Sequence, residues 1–531
     1  MLLAVFFVII FLYRGWFIVP EIIGGDWPYY FPEAVKAMTF PPRVNVYWQN
    51  NGFGGFDPVR GLHAFESFLA VVGTQWLGLS WPVVYKIGWF GFALLLSFVS
   101  PILLYRKIFG HSIAAWQMAL AGLIYSTNTY ILLVAGGGQM GVALAYCVAP
   151  LVFASFIRIW ANFIRMSLAG LVLGFQVMID PRIAYVTMIA VVLYYIVQKK
   201  NLLPIVPPLL VAAAMNAFWI VPMLTARYNA LTASSDALAS AESLSFFSVA
   251  DFSDAISLLH PNWPENIFGK TYFLQPEFLV IPIIAFTGIL TIKQYNNNNK
   301  TILLLAFLAL LGAFLSKGVN PPLGEAYRWL FEHVPGFVMF RDPTKFYLLT
   351  ALSYAVLIPF SLHMLTRRVN TAVVLTAFTV FWLLIVRDAV WGDLGGTFVR
   401  RSVPVEYVAL KDFLLAQPEF FRTLWVPRQS RFAFSSAVHP AVEAQPLFGA
   451  TNAATLASAF SDPQAHGALR THAIRYVIVP SDPFGEIFSS GRLYDPRKRQ
   501  SYEDMLGRIS LLRKLPIFEL PLYEVIQNRI Q

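Results

Sequence analysis

The chain has 531 residues, 57% of them hydrophobic and only 13% charged, with a net charge of +10. Soluble domains carry roughly 25% charged residues, so this chain has too few polar side chains to coat a water-facing surface, and a bilayer must solvate much of it. The positive balance reads as membrane topology and attraction to anionic headgroups; no basic tract of the nucleic-acid kind occurs.

A membrane span needs about 20 apolar residues. Eleven segments are predicted in chain order: 2–20, 82–106, 112–134, 139–160, 164–179, 183–199, 203–224, 276–294, 301–317, 346–366 and 371–388. The first lacks a charged leader and a small-residue cleavage site before Glu21, so it reads as a retained span. If the segments alternate, five short loops fall on one side. They hold Arg106-Lys107, Arg158 with Arg165, Lys199-Lys200, Lys293 with Lys300, and Arg367-Arg368, ten basic residues and no acidic one. The positive-inside rule puts these loops, and the N-terminus, in the cytoplasm. The outer side then receives loops 21–81, 225–275 and 318–345 and the C-terminal tail.

That tail has another composition: from 389 onward, 16 Lys/Arg stand against 13 Asp/Glu. Thr423–Pro427 and Arg475–Pro480 are short apolar runs ended by Pro and read as strands. Ile517–Val525 is a third, which Pro521 should confine to a sheet edge. Tyr407–Ala416 and Tyr502–Leu512 read as helices. The expected fold is a polytopic α-helical membrane module of about eleven spans, 1–390, followed by an extracytoplasmic α/β domain, 391–531. The single Cys147 lies in an apolar stretch, makes no intrachain disulfide and belongs to no zinc spacing.

The strong acidic motifs lie on the outer side. Gly24-Gly25-Asp26-Trp27-Pro28 follows the first span directly. A carboxylate at that boundary, crowded by aromatic rings, loses hydration, and its pKa rises toward that of a general base; the competing reading is a helix cap before Pro28. The third loop carries Tyr327-Arg328, Glu332-His333 and Phe340-Arg341-Asp342-Pro343-Thr344-Lys345-Phe346. Two cations beside a helix start suit a phosphate; alternatively Arg341 pairs with Asp342 or reaches headgroups. Asp180-Pro181-Arg182, between two short spans, is either a site or a capped turn. Gly136-Gly137-Gly138-Gln139 reads as a tight turn. In the second loop Asp251 and Asp254 read as a cap rather than metal ligands, with His260, Trp263 and Glu265 nearby. Gly-x-Ser-x-Gly, Walker and His-Glu-x-x-His patterns do not occur, and no metal is assigned.

An acidic residue directly after span one, long outer loops and an outer α/β tail resemble the GT-C superfamily of polyprenyl-phosphate-sugar glycosyltransferases. Gly25-Asp26-Trp27-Pro28-Tyr29-Tyr30 and Phe340–Phe346 most resemble the large arabinofuranosyltransferases and the related membrane proteins that modify lipoteichoic acid. The resemblance implies a donor sugar carried on a polyprenyl phosphate and a glycan, lipid or protein acceptor; the absence of a basic tract already argues against a nucleic-acid partner. It implies Asp26 as the base that takes the acceptor's proton. The leaving phosphate is already ionised and needs no general acid, unlike a glycoside hydrolase leaving group. Arg341 and Lys345, then Arg182 and Arg328, are the expected phosphate-binding cations, with Glu33, Asp180, Asp342 and His333 in support. The paired acids of many relatives and the Asp-x-Asp of the oligosaccharyltransferase branch are missing, which leaves divalent-metal dependence open. The competing classes are a transporter or flippase of lipid-linked glycans, against which the one-sided charge and lack of repeats argue, and a non-catalytic envelope assembly factor.

Overall fold

The computed structural model describes residues 1–42, 45–46, 55–56, 58–110, 113–157, 162–225, 241–261, 276–290, 299–450, 452–481 and 496–526. Arg158, Trp263, Glu265 and Lys293 lie outside the described residues.

Three described helices are long and apolar enough to cross a bilayer: Trp81–Phe109, Asn299–Ser316 and Pro343–Leu365. Three bent pairs bring the number to as many as six. Five further apolar helices are shorter: Leu2–Leu12, Met140–Phe156, Phe163–Ile179, Pro181–Val197 and Pro276–Leu290. Each expected segment therefore holds apolar helix, but helix length alone does not make eleven crossings. The helix Tyr347–Leu365 is apolar all round and buried along nearly its whole length, as a central helix must be. It contacts the helix Asn299–Ser316, where Thr350 Oγ1 donates to the Ala309 carbonyl at 3.1 Å.

The bends have chemical causes. Ala115–Thr127 and Thr129–Gly136 meet at 42°, where an uninterrupted span was expected. Between them Asn128 turns its side chain on the backbone: Nδ2 donates to Ile124 and Tyr125 carbonyls, each at 3.0 Å, and Oδ1 accepts from Ile131 N–H at 3.3 Å. Leu203–Met215 and Ala217–Thr225 meet at 81° around Asn216, whose Nδ2 donates to the Gly174 carbonyl at 2.9 Å.

The tail contains a five-stranded sheet in the order Ala441–Glu443, Arg422–Trp425, Ile474–Ile478, Leu522–Val525, Leu512–Leu515. The first three strands are parallel and the last two run antiparallel to their neighbours. Alternation sorts the side chains. Leu424 and Val477 face a core with Leu456, Phe460, Leu469 and Leu506 from helices Ala453–Ser461, Pro463–Thr471 and Pro496–Gly507. Trp425, Tyr476 and Ile478 face Tyr407, Leu410 and Leu414 of helix Val405–Leu415, and this second core takes in Ile23 and Phe31 of the loop after the first helix.

Two expectations are corrected. The third predicted strand begins only at Leu522. Pro521 ends the preceding turn with its carbonyl accepting from Val479 N–H at 3.1 Å. The strand is flanked on both sides rather than at an edge, because the proline, which cannot donate, lies outside the ladder. The helix expected over 502–512 ends at Gly507, and Leu512–Leu515 pairs instead as a strand.

Candidate functional site

Asp26 sits on a turn built by glycine. Gly25 takes φ +54° and Gly138 φ +75°, both in the region that L side chains avoid. Asp26 N–H donates to the Gly137 carbonyl at 2.6 Å. A Cβ on Gly138 would lie 2.6 Å from Asp26 N and 2.4 Å from Trp27 N. The Gly136–Gly138 turn is tight, as expected, and it is also the floor on which the Asp26 turn rests. Trp27, buried next to it, packs edge-on against Phe90 at 4.9 Å and Trp89 at 5.6 Å, which fixes the loop to helix Trp81–Phe109.

Two Asp-Pro starts bring cations to the same place. Asp180 caps helix Pro181–Val197, accepting from Arg182 N–H at 2.9 Å and Ile183 N–H at 3.3 Å. Its carboxylate also takes the Arg182 fork, Nε at 3.1 Å and Nη2 at 2.7 Å. Asp342 does the same for the turn that opens Pro343–Leu365: it accepts from Thr344 N–H at 3.0 Å and from the Thr344 hydroxyl, and it pairs with buried Lys345. Each motif thus holds a cation against its own cap at a helix N-terminus, where positive potential is already high.

Gln139 joins these parts. Its side chain hydrogen-bonds the Asp26 carboxylate, and its Oε1 accepts from Lys345 Nζ at 3.5 Å. A polar chain therefore runs Asp26–Gln139–Lys345–Asp342. Burial pushes the Asp26 carboxyl up to about 6; Gln139, Lys345, Arg431 and Arg182 hold it from rising further. Burial also opposes ionisation of Asp342, but Lys345 and Thr344 overcome it and hold the group at about 2. Asp180 is held low in the same way, Arg182 outweighing burial. His260, packed against Tyr130 and Tyr347 at 5.6 and 5.1 Å, is pushed down to about 4 by burial and is neutral at pH 7. Tyr130 is fully buried beside these charges, and its hydroxyl has no hydrogen-bond partner among the described residues.

The structure thus brings together Asp26, Arg182, Asp180, Asp342 and Lys345. Arg341 lies at the margin: its guanidinium sits over the Phe247 ring at 5.4 Å, within the field of Arg182 and Asp342. Arg328 and His333 are not brought in. On helix Gly324–His333, Arg328 pairs with exposed Glu325 at 3.3 Å, and His333 stacks on Trp329 at 5.1 Å. Glu33 points to the tail, where Lys411 meets it at 3.2 Å. Asp251 and Asp254 form a capping box, Asp251 N–H donating to Asp254 Oδ2 at 3.1 Å.

Arg431 is the site residue that the sequence hides. It comes from the tail, is 8% exposed, and donates from Nη2 to the Gly25 carbonyl at 2.5 Å. Nothing local to 429–434 marks it among the tail's 16 basic residues.

No protein-family model and no curated protein matches the chain. Among solved structures it is similar to the arabinofuranosyltransferase AftD from Mycobacteria, at TM-score 0.57 and 13% identity. Two structures of a mutant of that protein match at TM-scores 0.56 and 0.53 with 13% and 15% identity. The alignments cover 99% of this chain and 40–41% of theirs, so the chain spans about two fifths of AftD's length. At this identity the likeness is one of fold alone: the chain shares the fold of a part of AftD about two fifths of its length.

Proposed function

We propose that the protein is a membrane glycosyltransferase that moves a sugar from a polyprenyl-phosphate donor to an envelope glycan, lipid or protein acceptor at the outer membrane face. The observation that carries this reading is the juxtaposition of one half-buried carboxylate, Asp26, with Lys345 and Arg182 at two helix starts. Asp26 takes the acceptor hydroxyl's proton as its oxygen attacks the anomeric carbon; the phosphate leaves toward the cations. A carboxylate at about 6 is mostly ionised at pH 7 and more basic than an ordinary Asp. The Tyr130 hydroxyl, which has no partner among the described residues, is a ready donor to a phosphate oxygen. The fold likeness to an arabinofuranosyltransferase supports the class of reaction, not the sugar. Eleven crossings, a cytoplasmic N-terminus and an outer C-terminal domain belong to the same proposal.

The test is turnover by purified protein on a panel of polyprenyl-phosphate sugars with envelope glycan acceptors, read as released polyprenyl phosphate. Release that depends on both donor and acceptor is the expected result. Silence on every donor, together with no saturable binding of polyprenyl phosphate, contradicts it.

A further inference from the structure

One short strip of the tail runs along the Asp26 loop. Arg431 meets the Gly25 carbonyl at 2.5 Å, Phe432 packs edge-on against Tyr29 at 5.4 Å, and Phe434 against Phe31 at 5.9 Å. Residues 431–434 therefore run beside residues 25–31. The rings and the Lys411–Glu33 pair already fasten tail to loop, so adhesion does not require a buried guanidinium. Burying one is costly unless its charge is met, and Asp26 is a carboxylate on which its charge acts. The groups facing Asp26 are Gln139 from the glycine turn, Lys345 and Arg182 from two helix starts in the membrane half, and Arg431 from the tail. Asp180 and Asp342 are committed to Arg182 and Lys345.

We infer that Arg431 is a positioning residue of the site: it fixes the Gly25–Asp26 turn and brings, from the C-terminal domain, a cation to the Asp26 carboxylate, so that the site is complete only with that domain docked. The consequence for catalysis rests on Asp26 being the base; the coupling itself does not. Removing the charge leaves burial less opposed, so the carboxyl protonates at higher pH.

The experiment is an infrared pH titration of the full-length protein in detergent, with Asp26→Asn subtracted to isolate the Asp26 carboxyl band. Wild type is expected to titrate near pH 6. Arg431→Gln, which keeps a donor for the Gly25 carbonyl and loses the charge, should move the midpoint up by roughly one pH unit. Arg431→Lys should stay within a few tenths of wild type. An unmoved midpoint in Arg431→Gln overturns the inference. If that variant does not accumulate, Arg431→Gln is made on the Asp26→Asn background: recovered accumulation there supports the coupling, and continued failure overturns it. Because no turnover is read, these results stand apart from the transferase reading. That reading fails separately if Asp26→Asn retains full transfer activity.

Discussion

At the scale of single residues, function here is a matter of which charges are already satisfied. Asp180 and Asp342 are held low by their own cations, whereas burial holds Asp26 high and the cations around it only partly offset that. A base titrating at about 6 gives a rate that falls as pH drops below about 6 and levels above it; the pH dependence of polyprenyl phosphate release checks this. Tyr130 offers a cleaner separation of function from stability. Its buried hydroxyl lacks a partner among the described residues, so Tyr130→Phe should leave the thermal midpoint unchanged or slightly raised. If the hydroxyl meets the donor phosphate, the same variant weakens binding of polyprenyl phosphate by about fivefold or more. Weaker binding accompanied by lower stability would mark a packing role instead.

At the scale of elements, the two Asp-Pro starts and the glycine turn set the geometry. Asp342 is pushed below its ordinary 3.8 to about 2, so it contributes stability that is present above pH 3.8 and lost as pH falls through about 2. Asp342→Asn strands buried Lys345 and should cost about 3–5 kcal/mol at pH 7. The gap from wild type should narrow below pH 3.8 and close as pH falls through about 2, measured by thermal unfolding in detergent across pH. Gly138→Ala should cost roughly 1–3 kcal/mol, from its positive φ and from the 2.4 Å approach to Trp27 N, read as a lower thermal midpoint. Much of this was legible in sequence: Asp26, Arg182 and Lys345 stand out because a charge at the end of an apolar run has few cheap explanations. Helix breaks at Asn128 and Asn216 were not, because an Asn within an apolar run barely lowers its hydropathy while its amide rewires the backbone. The strands Ala441–Glu443 and Leu512–Leu515 were missed for a similar reason: three or four residues, one pair charged, carry too little alternation to read.

At the scale of the whole molecule, the chain folds its two ends onto one site. Residues 23–31 share a core with the tail sheet, and Arg431 reaches the turn before Asp26 across 406 positions of sequence. No local pattern could reveal that contact, since it is created by docking. The proposed orientation is open to a labelling test. With Cys147 replaced, a cysteine at exposed Ser458 in the tail should react with a membrane-impermeant maleimide on intact cells, and one at exposed Arg368 should not. The reverse pattern would invert the topology and remove the site from the outer face. The central claim, that Asp26 is the base of a sugar transfer, is tested most directly by the rate of polyprenyl phosphate release from wild type and Asp26→Asn under identical donor and acceptor. The substitution keeps the side-chain shape and removes the base. A loss of about 100-fold or more with donor binding retained is the expected result; equal rates would make Asp26 a structural turn residue and contradict the account.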